Sequence, residues 1–347
     1  MGKKIKYTTE RKLRKRKQVI YEDNDDYFKI EDYTITDLPS FIYLIDNLIS
    51  KPYPPKKIYR KLPKKIYKLC NIIDDLNDLN NLIGLTSLKQ QLVDQLIYFT
   101  QDYKEEIMLH TVIEGPPGTG KTSVANIMAR IYSGVGILKK NKCTIVKRED
   151  LIGQYLGETT IKTTEALDEC LNGVMLIDEA YSLGSDKSDS QGDSYAKECI
   201  DTINQYLSEN ADKLICIIAG YKRELDTCFF ALNPGLRRRF PWTFTIDSFK
   251  PNELGEILLS KIEDSNWETD ITLDEISQLI KNKEQYFTGN GGDIDNILSK
   301  AKILYSRINF GKENLYMLNK DIIINTINNF ISNKQLTTDK PPSMMYI

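Results

Sequence analysis

A glycine-rich segment with one lysine carries the strongest chemical signal in the sequence. It matches the pattern GxxxxGK[ST] and consists of Gly115, Pro116, Pro117, Gly118, Thr119, Gly120, Lys121 and Thr122. Glycines let backbone N–H groups wrap a phosphate chain, and the positive end of a following helix adds to the attraction. In such a loop the lysine reaches the β- and γ-phosphates and the threonine hydroxyl binds Mg²⁺. The alternative is a Gly/Pro turn with an incidental lysine.

Two acidic residues, Asp178 and Glu179, directly follow the apolar residues 174–177. The apolar run predicts a buried strand whose carboxyl end presents both acids beside the phosphate loop. There Asp178 would hold the Mg²⁺ shell, and Glu179 would orient and deprotonate an attacking water. Such a pair favours hydrolysis over phosphoryl transfer, because a kinase would need an acceptor site. Without the glycine-rich loop, the pair would be an ordinary strand end with solvated acids.

Three consecutive arginines, Arg237, Arg238 and Arg239, precede the last apolar run of the central region. A planar guanidinium suits the charge that develops on a transferring γ-phosphate, including one bound by a neighbouring subunit. We interpret Arg237 and Arg239 as candidate catalytic fingers, although the run alone does not decide which arginine acts. Taken in isolation, a run of this kind is more often a solvated turn or a nucleic-acid contact.

Short apolar runs alternate with helical patterns through the middle of the sequence. The runs cover residues 111–114, 143–146, 174–178, 214–219 and 243–247. Runs of this length separated by helices predict parallel strands joined by crossover connections. The helix after the first run has an apolar stripe formed by Val124, Ile127, Met128 and Ile131. We therefore expect an α/β domain built on a parallel sheet.

Helical patterns replace the strand pattern beyond Pro251. They cover residues 253–263, 272–280, 293–308 and 321–331. Thr272 and Glu275 form a capping box at the start of one of these helices. No strand is predicted in this part of the chain. We expect a small α-helical domain over residues 250–334, followed by a polar tail over residues 335–347.

The N-terminal part of the chain lacks the alternation of strands and helices. Residues 3–17 are rich in Lys and Arg, and a cluster of acids follows at residues 22–26. We interpret residues 1–30 as a charged flexible arm, which is either solvated or a polyanion-binding or nuclear-localisation signal. Residues 31–80 contain several prolines and are expected to form an accessory region of short helices, one of them at residues 38–49.

The composition fits a soluble globular protein of about two domains plus extensions. The chain has 347 residues, 41% hydrophobic and 28% charged, and its net charge of −2 gives no overall attraction to nucleic acid. The single histidine, His110, excludes three-histidine and HExxH metal sites. Six cysteines without CxxC spacing are expected to be reduced. Because no membrane-spanning run or apolar leader is visible, we expect an intracellular, soluble, cytoplasmic protein, with a nuclear location left open.

Six segments together resemble the AAA+ ATPases, and within them the CbbX/CfxQ branch. In chain order they are Ile83-Gly84-Leu85, GPPGTGKT, Gly153-Gln154-Tyr155-Leu156-Gly157, LIDEAY, IIAGY and NPGLRRRF. This branch includes red-type Rubisco activases, spore-associated ATPases and relatives in large DNA viruses. The resemblance spans residues 80–310 of the chain, and the combined motifs are highly specific.

The resemblance implies a P-loop sheet domain at residues 81–249, followed by the helical domain as a lid and preceded by a helical extension. It implies that ATP and Mg²⁺ bind between sheet and lid, with Ile83 and Gly84 joining the phosphate loop. The subunits would form a ring, usually a hexamer. Its central-pore loop would use Tyr155, Leu156 and Gly157 to grip a polypeptide. A tyrosine that anchors a surface loop is the alternative.

The sequence departs from the family pattern in the lid. The family's lid usually supplies a sensor arginine from a segment like NARxxRN, but Gly292 and Asp295 replace both arginines. Because an acid near a triphosphate repels it, the lid either reads the nucleotide differently or stands off from it. Tyr221 occupies the position of a polar sensor in many AAA+ proteins, but the branch tolerates tyrosine there and we assign it no catalytic role.

These features favour a ring-forming, Mg²⁺-dependent ATPase that remodels or threads an unidentified protein substrate. One alternative is an AAA+ ATPase of the clamp-loader or helicase kind, with the basic arm as its nucleic-acid handle. The net negative charge and the aromatic pore loop argue against nucleic acid as the partner. The other alternative is an ATP-binding scaffold with little turnover, which the missing lid arginines suggest.

Overall fold

The computed structural model describes residues 30–51, 65–101, 108–155, 157–184, 194–311 and 316–338. The predicted charged arm, apart from Ile30, lies outside the described residues, and so does the chain beyond residue 338. Two hydrophobic clusters lie against the faces of a central sheet, and a third fills the helical region that follows it.

In the part of the chain that the structure describes, five parallel strands form the central sheet. They are β1 (Thr111–Glu114), β2 (Cys143–Val146), β3 (Val174–Ile177), β4 (Ile215–Gly220) and β5 (Trp242–Thr245). Their order is β2-β3-β4-β1-β5, and each neighbouring pair is parallel. β1 lies between β4 and β5, and Val112 and Ile113 belong to the hydrophobic clusters on the two faces of the sheet, so all of its residues are buried. The predicted α/β fold is confirmed, and the five strand positions agree to within two residues.

The parallel arrangement brings the carboxyl ends of the strands to one edge of the sheet. At this edge the chain passes from β1 to Gly115, from β3 to Asp178 and from β4 to Tyr221. β4 lies between β1 and β3, so these three strand ends are neighbours. Open α/β sheets bind ligands in the crevice outside this edge, which makes it the first place to look for a site.

Within the described segments, six longer helices surround the sheet. They are α1 (Leu38–Ser50), α2 (Ile73–Asn81), α3 (Thr86–Thr100), α4 (Lys121–Gly134), α5 (Glu158–Glu169) and α6 (Ser194–Glu209). Helices α1 to α4 share one hydrophobic cluster with the sheet, and α5 and α6 share the other. Shorter helical turns lie at Ile66–Ile72, Arg148–Leu151, Ala180–Leu183 and Leu236–Arg239.

The N-terminal helices pack directly on α4, the helix that follows the glycine-rich loop. A Cβ atom on Gly134 would lie 2.3 Å from Cγ2 of Ile72, so glycine permits the close contact. Arg130 of α4 forms ion pairs with Asp75 at 2.6 Å and with Asp78 at 2.5 Å. The region predicted as accessory therefore shares its core with the sheet domain.

The C-terminal region is a helical domain with its own hydrophobic cluster. Its helices are α7 (Pro251–Asp264), α8 (Leu273–Lys281), α9 (Gly291–Ile308) and α10 (Lys320–Thr338). The predicted capping box is present, with Thr272 N donating to Glu275 Oε2 at 3.1 Å. The last helix continues past the predicted domain end at Lys334. No helix in the described ranges combines the length and apolar content needed to cross a bilayer.

The prediction that no strand follows Pro251 is wrong. β6 (Glu268–Thr269) and β7 (Met317–Leu318) form a small parallel pair within the helical domain. Each strand has two residues, which is too short to show an alternating hydrophobic pattern in the sequence.

Candidate nucleotide-binding site

The chain turns sharply between β1 and α4, where the glycine-rich segment lies. Gly118 and Gly120 have φ angles of 70° and 80°, a region that favours glycine because residues with a Cβ atom rarely adopt it. A Cβ atom on Gly120 would meet no other atom within 4 Å, so this part of the loop faces open space. The N-terminus of α4 follows at once and adds positive potential. The loop is therefore a cradle suited to phosphate oxygens.

The side chain of Lys121 lies inside this loop. Its Nζ donates to the backbone oxygens of Gly115 at 3.1 Å and Pro116 at 2.8 Å. Burial lowers the pKa of Lys121, and the negative charges of Asp178 and Glu179 act in the opposite direction. The ammonium group thus binds carbonyl oxygens of the loop and lies near enough to Asp178 and Glu179 for their charges to act on it.

Thr122 and Asp178 bring two oxygen ligands together beside the loop. Thr122 Oγ1 donates to Asp178 Oδ2 at 2.6 Å, which links the start of α4 to the end of β3. Mg²⁺ prefers hard oxygen ligands and is usually bound through one or two protein groups, with waters and phosphates completing its shell. This donor set therefore fits Mg²⁺ bound together with a nucleotide.

Glu179 follows the metal-site acid in a rare backbone conformation. Its φ angle is 50°, in the left-handed region that few residues other than glycine adopt. The backbone N of Glu179 donates to Asp178 Oδ1 at 3.0 Å, and Glu179 is exposed to solvent. Strained conformations of this kind gather at functional sites. The carboxylate is accessible to water at the edge where the phosphate loop lies.

Sequence reasoning missed the contribution of two tyrosines to this site. The ring of Tyr221 lies 5.2 Å from Lys121 Nζ, although we assigned this residue no catalytic role. Tyr181 stacks on Tyr221, with ring centroids 5.3 Å apart and planes inclined by 20°. Tyr221 directly follows the end of β4, and Tyr181 comes two residues after Glu179. These positions next to strand ends were the available signal.

The helical domain contacts the phosphate loop without the usual arginines. Gly291 N donates to Gly118 O at 3.0 Å, and Asn290 Nδ2 donates to Pro117 O at 3.1 Å. Asn290 Oδ1 accepts a hydrogen bond from Phe249 N at 2.9 Å, which ties this contact to the chain entering α7. A Cβ atom on Gly118 would lie 2.1 Å from the oxygen of Gly289, so the approach is close. The lid therefore contacts the phosphate loop itself, which argues against the alternative that the lid stands off from the nucleotide.

The acids of this segment are neutralised by lysines. Asp295, which replaces one expected arginine, forms an ion pair with Lys261 at 2.7 Å. Asp293 forms an ion pair with Lys334 at 2.9 Å and accepts a hydrogen bond from Gly289 N at 2.7 Å. These pairings reduce the repulsion that the sequence led us to expect between the acids and a triphosphate.

Ile83 and Gly84 lie where the sheet domain meets the helical domain. Ile83 packs against the hydrophobic cluster of the helical domain. Gly84 has a φ angle of 69°, and a Cβ atom there would lie 2.9 Å from Glu253 Oε1. Their predicted contact with ATP remains a prediction, and their position at the junction of the two domains is compatible with it.

The three arginines differ in their surroundings. Arg237 Nη1 lies 3.3 Å from Asp226 Oδ1, and its guanidinium lies 4.4 Å from the ring centroid of Phe230. Arg238 is exposed, and the Nε of Arg239 is buried without a hydrogen-bond partner among the described residues. Within the same ranges, no hydrogen bond or ion pair joins these arginines to the phosphate loop or to its acids.

The predicted pore loop has a fixed base and an exposed side chain. Tyr155 is 69% exposed, and its backbone N donates to Glu158 Oε2 at 3.2 Å. Gly157, with a φ angle of 86°, precedes α5. Leu156 lies outside the described residues. A tyrosine that anchors the loop to the surface would be covered, so the exposure of Tyr155 argues against that alternative.

His110 takes no part in this site. The side chain is fully buried, and Nδ1 accepts a hydrogen bond from Cys216 N at 3.1 Å. Burial lowers the pKa of His110 to about 4, so the imidazole is neutral at physiological pH. The one histidine of the chain is a core residue.

Comparisons with known proteins agree with this geometry. The family model described as "ATPase family associated with various cellular activities (AAA)" matches residues 111–248. The putative cfxQ-like protein R730 of Acanthamoeba polyphaga mimivirus is 39% identical over 301 residues, which cover 84% of this chain and 72% of that protein. This likeness extends beyond the sheet domain to most of both chains.

Two mycobacterial secretion-system proteins are similar over shorter segments. The ESX-3 secretion system protein EccA3 of Mycobacterium leprae is 37% identical over 209 residues, covering 56% of this chain and 32% of that protein. The ESX-1 secretion system protein EccA1 of Mycobacterium tuberculosis H37Rv is 38% identical over 148 residues, covering 43% of this chain and 26% of that protein. The chain thus spans a third or less of these two relatives. The phosphate cradle, the paired acids and the long match to the mimivirus protein lead to one conclusion: this chain belongs to the AAA ATPase family, among its cfxQ-like members.

Proposed function

We propose that this protein is a Mg²⁺-dependent ATPase that works as an oligomeric ring, expected to be a hexamer, and remodels or threads a protein substrate. The observation that carries the proposal is the 2.6 Å contact between Thr122 and Asp178 beside the Lys121 ammonium. With this contact, the phosphate cradle, the two oxygens proposed to bind the metal and the exposed carboxylate of Glu179 lie at one edge of the sheet. ATP hydrolysis needs these three components together.

The chemistry follows from the residues at this edge. The loop amides and Lys121 bind and orient the phosphates, and Lys121 exchanges its carbonyl partners for phosphate oxygens. Thr122 and Asp178 would hold Mg²⁺, which when bound neutralises the charge that develops on the phosphates. Glu179 orients the attacking water and accepts its proton.

The ring is supported by the position of the arginines. Arg237 and Arg239 make no hydrogen bond or ion pair with their own phosphate loop in the described part of the chain. We propose that they act on the nucleotide of a neighbouring subunit, where a guanidinium can stabilise the γ-phosphate during transfer. A ring of identical chains then completes each site at a subunit interface.

A substitution in the pore loop tests whether the protein binds a polypeptide substrate. In a Glu179→Gln background, which is expected to hold MgATP without hydrolysis, associated polypeptides are captured with and without ATP and identified by mass spectrometry. Adding Tyr155→Ala should remove the ATP-dependent set, because the exposed ring is the proposed grip on the polypeptide. Tyr43→Ala is the matched control, since Tyr43 is a comparably exposed tyrosine on α1. An identical captured set with and without Tyr155 would contradict protein threading.

A further inference from the structure

Asn290 has a backbone conformation that suits glycine, and its side chain is buried. Its φ and ψ angles are 51° and −124°, which residues with a Cβ atom rarely adopt. The residue is only 1% exposed. Strained residues of this kind persist only where the surrounding structure holds them, and they gather at functional sites. Glycine would fit this backbone without strain, which indicates that the asparagine side chain has a task of its own.

The side-chain amide of Asn290 joins three segments of the chain. Its Nδ2 donates to Pro117 O at 3.1 Å and to Thr288 O at 3.3 Å. Its Oδ1 accepts a hydrogen bond from Phe249 N at 2.9 Å. Pro117 belongs to the phosphate loop, Phe249 precedes α7, and Thr288 lies in the turn before α9. The amide therefore ties the phosphate loop to two parts of the helical domain.

A backbone contact extends this tie by one residue along the loop. Gly291 N donates to Gly118 O at 3.0 Å. A Cβ atom on Gly291 would lie 2.8 Å from the same oxygen, so the close approach requires glycine. The helical domain thus holds the carbonyl oxygens of Pro117 and Gly118, which are consecutive in the loop.

These two contacts determine the direction of two N–H groups of the loop. In a planar trans peptide unit the C=O and N–H groups point in opposite directions, and the described chain has no cis peptide bond. With the oxygens of Pro117 and Gly118 held by the helical domain, the N–H groups of Gly118 and Thr119 point away from it. Such loop N–H groups are the donors that bind phosphate oxygens.

We propose that Asn290 is a positioning residue for nucleotide binding, whose side chain holds the phosphate loop with its N–H groups already directed for phosphate. Gly291 supports this arrangement through its backbone. The helical domain thereby influences nucleotide affinity through the backbone of the loop. The inference rests on the proposed ATPase function and adds to it a residue from outside the sheet domain.

Asn290→Gly tests the side chain alone. Glycine suits the φ and ψ angles and leaves the Gly291 contact in place, so the fold should be retained, which thermal unfolding followed by circular dichroism checks. In calorimetric titration, MgATP affinity should fall about tenfold, because a loop that is less ordered beforehand must be ordered on binding. KM should rise in parallel while kcat stays within about twofold, since Lys121, Asp178 and Glu179 are untouched.

Two further variants separate this role from a general effect on the helical domain. Asn266→Gly changes an exposed asparagine of the same domain that also has a positive φ angle, and it should bind MgATP like the wild type. Asn290→Asp keeps an oxygen for Phe249 N but loses the donor to Pro117 O. It should weaken binding at least as much as Asn290→Gly, and it tests the donor even if the glycine variant is unstable.

The outcomes that would overturn the inference are distinct. They are wild-type affinity in Asn290→Gly or Asn290→Asp, a loss that appears mainly in kcat, or an equal loss in Asn266→Gly. The wild type is titrated first. If it has no Mg²⁺-dependent affinity for ATP, the proposed function and this inference both fail, whereas a binding wild type with an equally tight Asn290→Gly overturns this inference alone.

Discussion

Glu179→Gln should reduce the rate of ATP hydrolysis by about 10²–10⁴-fold, the range that a lost general base produces. The amide has almost the same shape as the carboxylate but cannot accept the proton of water. MgATP affinity should remain within about twofold of the wild type, because Thr122, Asp178 and Lys121 are untouched. Steady-state phosphate release measures the first quantity, and calorimetric titration with MgATP measures the second.

This result also distinguishes the proposal from the scaffold alternative. An ATP-binding scaffold with little turnover predicts that Glu179→Gln changes nothing, because its hydrolysis is already negligible. Glu158→Gln is a suitable control, since this acid lies in the pore loop base and caps Gln154 N and Tyr155 N instead of facing the phosphate loop. Its hydrolysis rate should stay within about twofold of the wild type, and a loss equal to that of Glu179→Gln would contradict the assigned role.

Arg239→Ala should lower turnover by about 10³-fold while sparing MgATP binding, as expected for an arginine finger. Arg239 is half-buried and makes no hydrogen bond or ion pair with its own phosphate loop in the described part of the chain, so we assign its guanidinium to the nucleotide of the neighbouring subunit. Arg237→Ala should have a smaller effect, because its guanidinium already contacts Asp226 and the Phe230 ring. Arg307→Ala, on the exposed face of α9, controls for the loss of a surface arginine.

Mixing two inactive variants tests whether the finger acts between subunits. A Lys121→Ala subunit has intact arginines, and an Arg239→Ala subunit has an intact nucleotide site. In a mixed ring the first can supply its arginine to the second, so hydrolysis should recover in part. If the arginine served its own nucleotide, the mixture would stay inactive, and the proposed interface site would be wrong.

The sheet was predictable because its signals are local. A strand buried on both faces reads as a continuous apolar run, as residues 174–177 do, and the functional groups follow such runs directly. The cradle was equally visible, since Gly118 and Gly120 have positive φ angles that the motif demands. For these elements, a few neighbouring residues are enough to determine the local backbone conformation.

The contacts between distant parts of the chain were not predictable in this way. Asn290 and Pro117 are 173 residues apart, and their hydrogen bond depends on how the helical domain docks on the sheet domain. The stack of Tyr181 on Tyr221 likewise depends on β3 and β4 being neighbours. The ion pair between Arg130 and Asp75 is a further contact of this kind. The sequence of the N-terminal region predicts its helices, but it does not show that these helices pack on the sheet domain.

The central claim is that MgATP is bound by the loop around Lys121, and calorimetric titration of the wild type and Lys121→Ala tests it most directly. The wild type should bind ATP with Mg²⁺ present, and Lys121→Ala should weaken that affinity about 100-fold, since charge-assisted hydrogen bonds to phosphate are lost. Lys139→Ala, an exposed lysine beyond the far end of α4, should bind like the wild type. A wild type with no Mg²⁺-dependent affinity for ATP, or a Lys121→Ala variant that binds equally well, would contradict the account.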